Sequence, residues 1–186
     1  MEESGKNRQE NNKITEIVTI PVPFVIGEIN RNITITTNTP SREQLINQAL
    51  QLHAQGNISE AAKYYQYFIN QGFTDQSVFC NYGIILKDHG QLQEAEISTR
   101  KAIELNPKYG KAHSNLGNIL RVLGNLHEAE NSYRQAIQLK PNFPEAHLNL
   151  GNILRDLGKL QEAEVSTRQA IQLKPNFPEA YSNLGN

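Results

Sequence analysis

A period of 34 residues constrains this chain more than any other feature of its sequence. Residues 110–143 and 144–177 agree at 26 of their 34 positions when they are aligned without a gap. The same frame, continued without insertion, defines full blocks at 42–75 and 76–109 and a partial block at 178–186. A fixed period of this length is typical of helical hairpins, each of which buries its apolar face against its neighbours. The sequence therefore predicts an all-α solenoid over residues 42–186.

Each block divides into two predicted helices, and position n denotes the nth residue of a block. Position 15 is glycine in all four full blocks, at a point where the end of a helix commonly requires left-handed backbone. We expect helix A over positions 1–14 and helix B over about 17–31, where a proline at position 32 ends helix B in three blocks. Asn57 and Asn125 follow the glycine as predicted N-caps, and Glu60 and Glu128 complete two capping boxes.

The predicted core face of helix A holds positions 4, 7, 8, 11 and 14, which fall on one side at 100° per residue. His89 occupies position 14 of the second block and is therefore predicted to face the core. The opposite face holds positions 2, 5, 6, 9, 12 and 13, and there we expect any binding residues.

The N-terminal region differs from the blocks in composition. Residues 1–13 are polar and are predicted to be disordered. Residues 14–40 are rich in Ile, Val and Thr and are predicted to form a short extended or strand-like arm, although Pro21 and Pro23 exclude a central strand. A tail that becomes ordered only on contact is the alternative.

Composition bounds the partners and the compartment. The net charge is −1 and the pI about 6.5, so no basic field attracts nucleic acid or an anionic membrane. Cys80 is the single cysteine, and so no intramolecular disulfide forms. The N-terminus does not resemble a secretory signal, and the apolar run at 17–26 falls short of the roughly 20 residues that span a bilayer. We expect a soluble, cytoplasmic protein.

Asparagine at position 6 is the main indication of function. It occurs in every block, as Asn47, Asn81, Asn115, Asn149 and Asn183. The first two blocks agree at only six of 34 positions, and the other five shared residues serve the core, the turn or the cap. A side-chain amide has both donor and acceptor groups, so a row of amides can bind the backbone of an extended peptide. The alternative is that these asparagines hydrogen-bond the neighbouring helix or water and simply pack well.

Two further rows accompany this asparagine row on the same face. Position 9 is Asn118, Asn152 and Asn186, one helical turn away. Position 12 is Lys87, Arg121 and Arg155, at the predicted edge of the groove. We expect these cations to pair with acidic side chains of a partner.

Three motifs resemble the tetratricopeptide repeat over residues 42–186. They are G-x-L-x-E-A in the turn, N-L-G in helix A and A-I-x-L-x-P at the end of helix B. The resemblance implies a right-handed superhelix whose A helices line a concave groove. The N-L-G-N pattern, with Arg near position 12, is similar to the repeat arm of O-linked N-acetylglucosamine transferases, and implies an asparagine ladder that binds peptide backbones. The lysine at position 5 that forms the carboxylate clamp of chaperone-binding members is absent here.

We therefore expect a protein–protein interaction module that binds an extended peptide and has no enzymatic activity of its own. The alternative is the N-terminal substrate-recruiting arm of a larger glycosyl-, sulfo- or methyltransferase, because the sequence stops nine residues into a helix A. Self-association through that uncovered end is a weaker alternative. No cofactor is expected, because no phosphate-binding or dinucleotide motif occurs. No metal site is expected either, because His127 has only Glu130 at helical spacing.

Overall fold

The computed structural model describes residues 40–185. The prediction for residues 1–13 and the predicted arm at 14–40, apart from Pro40, lie outside this range, as does Asn186. Within it the chain forms nine α-helices and no strand, which confirms the predicted all-α solenoid. The helices are α1 Arg42–Ala54, α2 Ile58–Asn70, α3 Gln76–Asp88, α4 Leu92–Leu105, α5 Gly110–Val122, α6 Leu126–Leu139, α7 Pro144–Asp156, α8 Leu160–Leu173 and α9 Pro178–Gly185.

The hairpin turns follow from glycine. Gly56, Gly90, Gly124 and Gly158 have φ of 79°, 76°, 82° and 75°, so each occupies the left-handed region that disfavours a side chain. The first repeat lacks a proline after helix B, and there Gly72, with φ 76°, ends α2 instead. Glycine therefore fixes where helix A ends in each full repeat, and also where helix B ends in the first repeat.

The predicted capping boxes are wrong, although the helices begin where expected. Asn57 and Asn125 occupy the N-cap positions of α2 and α6, but neither side chain accepts a capping hydrogen bond. Their φ and ψ, near −80° and 62°, differ from the extended conformation that aims a cap side chain at the first turn. Asp75, which the sequence analysis did not single out, caps α3 by accepting the backbone N–H groups of Ser77 and Val78 at 2.8 and 3.2 Å.

The core contains small residues where helices approach closely. Alanines at positions 20 and 27 are fully buried in α4 and α6. Position 8 of α5 is Gly117, and a Cβ built there would lie 2.6 Å from the ring of Tyr133. The absence of a side chain at Gly117 therefore makes room for the tyrosine of helix B to lie directly against helix A.

The A helices are buried on more sides than the predicted core face. Cys80, Ser114 and Leu148, at position 5, were predicted to face away from the core but are buried. The reason is that helix A packs against both its own helix B and the A helices of adjacent repeats, since α3 contacts α5 and α5 contacts α7. His89 was predicted to face the core but is exposed, because α3 ends at Asp88 and His89 is its C-cap.

Ion pairs link successive B helices on their solvent side. Arg100 of α4 pairs with Glu128 of α6, and Arg134 of α6 pairs with Glu162 of α8 at 2.6 Å. The carboxylate of Glu130 is almost fully buried, where it accepts hydrogen bonds from Arg134 and from Lys159 at 2.8 Å. Burial opposes its ionisation, but these two cations outweigh burial and hold the pKa of Glu130 below its usual value.

None of the helices within residues 40–185 combines the length and apolar character needed to cross a lipid bilayer.

Candidate functional site

The asparagines of positions 6 and 9 meet across the junctions between the later repeats. Asn149 of α7 donates from Nδ2 to Oδ1 of Asn118 in α5 at 3.0 Å. Asn183 of α9 donates in the same way to Asn152 of α7 at 2.7 Å. The two rows therefore form two equivalent hydrogen-bonded pairs, Asn118–Asn149 and Asn152–Asn183, one at each junction between the A helices of the last three repeats, and we call these four amides the amide series.

These contacts fix which groups of the amides remain available. Oδ1 of Asn118 also accepts a hydrogen bond from the hydroxyl of Tyr133 at 2.8 Å, so both of its lone pairs are used. Only the Nδ2 donors of Asn118 therefore remain available to a ligand. Asn149 uses one N–H in the contact and retains its Oδ1 as an acceptor. All these asparagines are half-buried, so the face presents amide donors and acceptors in defined orientations.

The first half of the same face is built differently. Asn81 is only 7% exposed; its amide donates to the hydroxyl of Tyr65 at 3.4 Å and accepts from Nζ of Lys111 at 3.1 Å. Asn115 donates to the buried thiol of Cys80 at 3.1 Å. Position 9 is here Leu50 and Ile84, both half-buried, and Asn47 is exposed. The structure therefore places the predicted asparagines on one face but gives them unequal surroundings.

His53 lies at the N-terminal end of the hydrogen bonds that join Tyr65, Asn81 and Lys111. Its Nδ1 lies 3.2 Å from the hydroxyl of Tyr65, and it shares position 12 with the predicted basic row. Burial of the ring, and then the charge of Lys111, lower the pKa of His53 below its usual value of 6.5. Burial likewise raises the pKa of Cys80, so this thiol is protonated at neutral pH and is poorly suited to nucleophilic attack.

The Lys and Arg side chains of the B helices have carboxylate partners, whereas most of those on the asparagine-bearing face of the A helices have none among the described residues. Every Lys and Arg of α2, α4, α6 and α8 pairs with a carboxylate. On the A-helix face Lys87 pairs with Asp88 at 2.9 Å, whereas Lys111, Arg121 and Arg155 form no ion pair with any described residue. Arg155 instead lies 3.4 Å from Oδ1 of Asn152. Cations without a carboxylate partner are thus found along the amide series.

Sequence reasoning missed two tyrosines that support this face. Tyr65 and Tyr133 are at position 24 of the repeat, in helix B, yet the hydroxyl of Tyr65 contacts His53 and Asn81, and that of Tyr133 contacts Asn118. Both rings are fully buried. The signal available in the sequence is the alternation of Tyr and Thr at position 24 opposite Ala or Gly at position 8.

Comparison with protein families agrees with the period and with the hairpins. Models described as TPR repeat or tetratricopeptide repeat match residues 76–109, 99–131, 117–154 and 151–186. The chain belongs to the tetratricopeptide repeat family. Comparison with curated proteins gives no match.

Solved structures with the same fold extend over most of the described solenoid. YrrB, a TPR protein with an unusual peptide-binding site, has 19% identity and a TM-score of 0.70, with 80% of this chain and 77% of that chain covered. MamA from Desulfovibrio magneticus RS-1 has 20% identity and a TM-score of 0.68 over 77% and 81%. The first TPR domain of RPAP3, bound to the HSP90 peptide SRMEEVD, has 24% identity and a TM-score of 0.58 over 59% and 87%. At these identities the likeness concerns the fold.

Among the described residues, no group of three His, Cys, Asp or Glu side chains is placed to hold a metal ion.

Proposed function

We propose that this tetratricopeptide repeat chain is a protein-interaction module that binds an extended peptide in the concave groove formed by its A helices. The observation that carries the proposal is the amide series, in which Asn149 bonds Asn118 and Asn183 bonds Asn152 across repeat junctions. A series held in fixed orientation offers hydrogen-bonding groups with little reorganisation on binding, which lowers the entropic cost of association.

The chemistry of the series matches a peptide backbone. A ligand carbonyl accepts from Nδ2 of Asn118, whose oxygen is already saturated, and a ligand N–H donates to Oδ1 of Asn149. Packed helices lie about 8–10 Å apart, and an extended chain advances about 3.3 Å per residue. One repeat therefore corresponds to about three ligand residues, so that every third peptide unit meets an asparagine whatever its side chain.

The cations at the groove add a preference for acidic side chains of the ligand to the binding of its backbone. Arg121, Arg155 and Lys111 have no carboxylate partner among the described residues, so they are available to acidic side chains of the ligand. Lys87 is the weakest candidate of the basic row because Asp88 already neutralises it. Binding of peptides by YrrB and by the RPAP3 domain supports this use of the fold, without identifying the ligand here.

A peptide selection with matched asparagine variants tests the proposal. The purified chain is panned against a phage-displayed library of random 12-residue peptides, and selected peptides are measured by fluorescence anisotropy. Asn118→Ala and Asn149→Ala should each weaken binding by about 2- to 12-fold, since a hydrogen bond contributes about 0.5–1.5 kcal/mol. Asn131→Ala makes the same change at an exposed position of α6 and should leave affinity unchanged. If every selected peptide bound the wild type and all three variants with equal affinity, the groove model would be contradicted.

A further inference from the structure

The B helices enclose two equivalent crevices, one repeat apart. The first lies between α2 and α4, with α3 as its floor, and has a volume of about 740 Å³. The second lies between α4 and α6, with α5 as its floor, and has a volume of about 540 Å³. Eight positions of the repeat line both crevices, so each provides an internal reference for the other.

An arginine at position 25 of α4 bridges the second crevice, whereas α2 has no arginine at the equivalent position of the first, although Arg100 and Lys101 of α4 line the other wall of the first crevice. Arg100, at position 25, reaches Glu128 at position 19 of the next repeat, and Arg134 reaches Glu162 in the same way one junction later. At the first junction position 25 is Gln66, and Glu94 at position 19 has no ion pair with a described residue. Gln66 instead accepts a hydrogen bond from the hydroxyl of Tyr82.

The lining of the first crevice is also more apolar than that of the second. Position 4 is Phe79 where the second crevice has His113, and position 22 is Ile97 where the second has Asn131. Ile97 is 70% exposed and lies beside a floor that includes Phe79 and Tyr82. The first crevice thus combines an accessible apolar surface with an unpartnered carboxylate.

We propose that the first crevice docks a helical segment of a partner protein that carries arginine three or four residues from a bulky apolar side chain. The partner's guanidinium binds Glu94 as Arg100 binds Glu128, and its apolar side chain packs between Phe79 and Ile97. The charge that this chain lacks at the first junction is the charge that the partner supplies. The walls of this crevice are the B helices α2 and α4, and its floor residues Phe79 and Tyr82 are at positions 4 and 7, outside the asparagine rows, so the inference is independent of peptide binding in the groove.

The test is a selection with two variants that change the crevice in opposite ways. A phage-displayed random 12-residue library is panned on the wild-type chain after depletion on Gln66→Arg, in which the introduced guanidinium should pair with Glu94 and occupy the crevice. Sequences with arginine three or four residues from Leu, Ile or Phe should be enriched. Absence of that pattern would overturn the proposal.

Affinity measurements then locate the binding site of the selected peptides. Glu94→Gln and Gln66→Arg should each lower affinity about tenfold or more, whereas Glu128→Gln at the second crevice and Asn149→Ala in the groove should have no effect. Loss of affinity with Asn149→Ala but not with Glu94→Gln would place the peptides in the groove and overturn the inference. Sedimentation velocity tests whether a second copy of this chain occupies the crevice instead. A dimer that forms in the wild type and disappears in Gln66→Arg would show that it does, and would overturn the proposal of a separate partner.

Discussion

Adding one methyl group at Gly117 tests how the tyrosine of helix B supports the groove. The Cβ of alanine there would meet three ring atoms of Tyr133 at 2.6, 2.8 and 2.8 Å, closer than carbon atoms pack. The ring is fully buried and cannot swing into solvent without opening the hairpin. Its hydroxyl also holds Asn118 at 2.8 Å, so displacement of the ring disturbs the amide series directly.

The expected magnitude combines three terms. Overpacking in a filled core costs about 1–3 kcal/mol. Loss of the hydrogen bond to Asn118 costs about 0.5–1.5 kcal/mol. Replacing glycine by alanine inside a helix returns about 0.5–1 kcal/mol. Gly117→Ala should therefore lower the free energy of unfolding by about 0.5–4 kcal/mol. It should also weaken peptide binding because the oxygen of Asn118 loses one of its two donors.

Urea unfolding followed by far-UV circular dichroism measures the effect, with Gly110→Ala as the matched control. A Cβ at Gly110 would find its nearest neighbours at 3.4 to 3.6 Å, which is close to ordinary contact. Gly110→Ala should therefore be neutral or stabilising by up to about 1 kcal/mol. If Gly117→Ala were as stable as the wild type, or if both variants were destabilised equally, the account of Tyr133 would be refuted.

Three further predictions concern titration and capping. Because the pKa of Glu130 is depressed in the folded chain, its contribution to stability is present above the unfolded pKa of about 4.3 and is lost as pH falls through the lower folded value; urea unfolding between pH 3 and 6 should show a smaller loss in Glu130→Gln. His53, whose pKa is lowered first by burial and then by Lys111, should titrate below 6.5 by NMR, and Lys111→Gln should move that pKa upward; no movement would contradict the assigned charge effect. Asp75→Ala should cost about 1 kcal/mol in urea unfolding because it removes a side-chain cap, whereas Asn57→Ala should cost clearly less because Asn57 makes no such bond.

The period and its glycines predicted the helix hairpins well because the information is local. Gly56 and its three equivalents require left-handed backbone, and that requirement is visible in sequence as a residue type at a fixed spacing. The burial of position 5 was not predictable from one helix considered alone. Cys80 and Leu148 are covered by the A helix of an adjacent repeat, and this contact depends on the superhelical stacking.

The candidate site also combines residues that the sequence identifies with contacts between repeats that the sequence does not reveal. Its asparagines could be found from the sequence because Asn47 and Asn81 persist while most other positions of the first two repeats differ. Their partners could not, because the bond from Asn149 to Asn118 crosses 31 residues and a repeat junction. Tyr133 reaches Asn118 from helix B only because Gly117 leaves room for its ring.

Backbone N-methylation of a selected peptide tests the central claim most directly. Methyl groups are placed on one peptide nitrogen at a time, and the Kd of each derivative is compared with that of the matching alanine-substituted peptide. If asparagines such as Asn149 hold the backbone, methylation should weaken binding about every third residue, whereas alanine substitution at the same residues should have little effect. Affinity that depended on the side chains and tolerated methylation throughout would contradict the account.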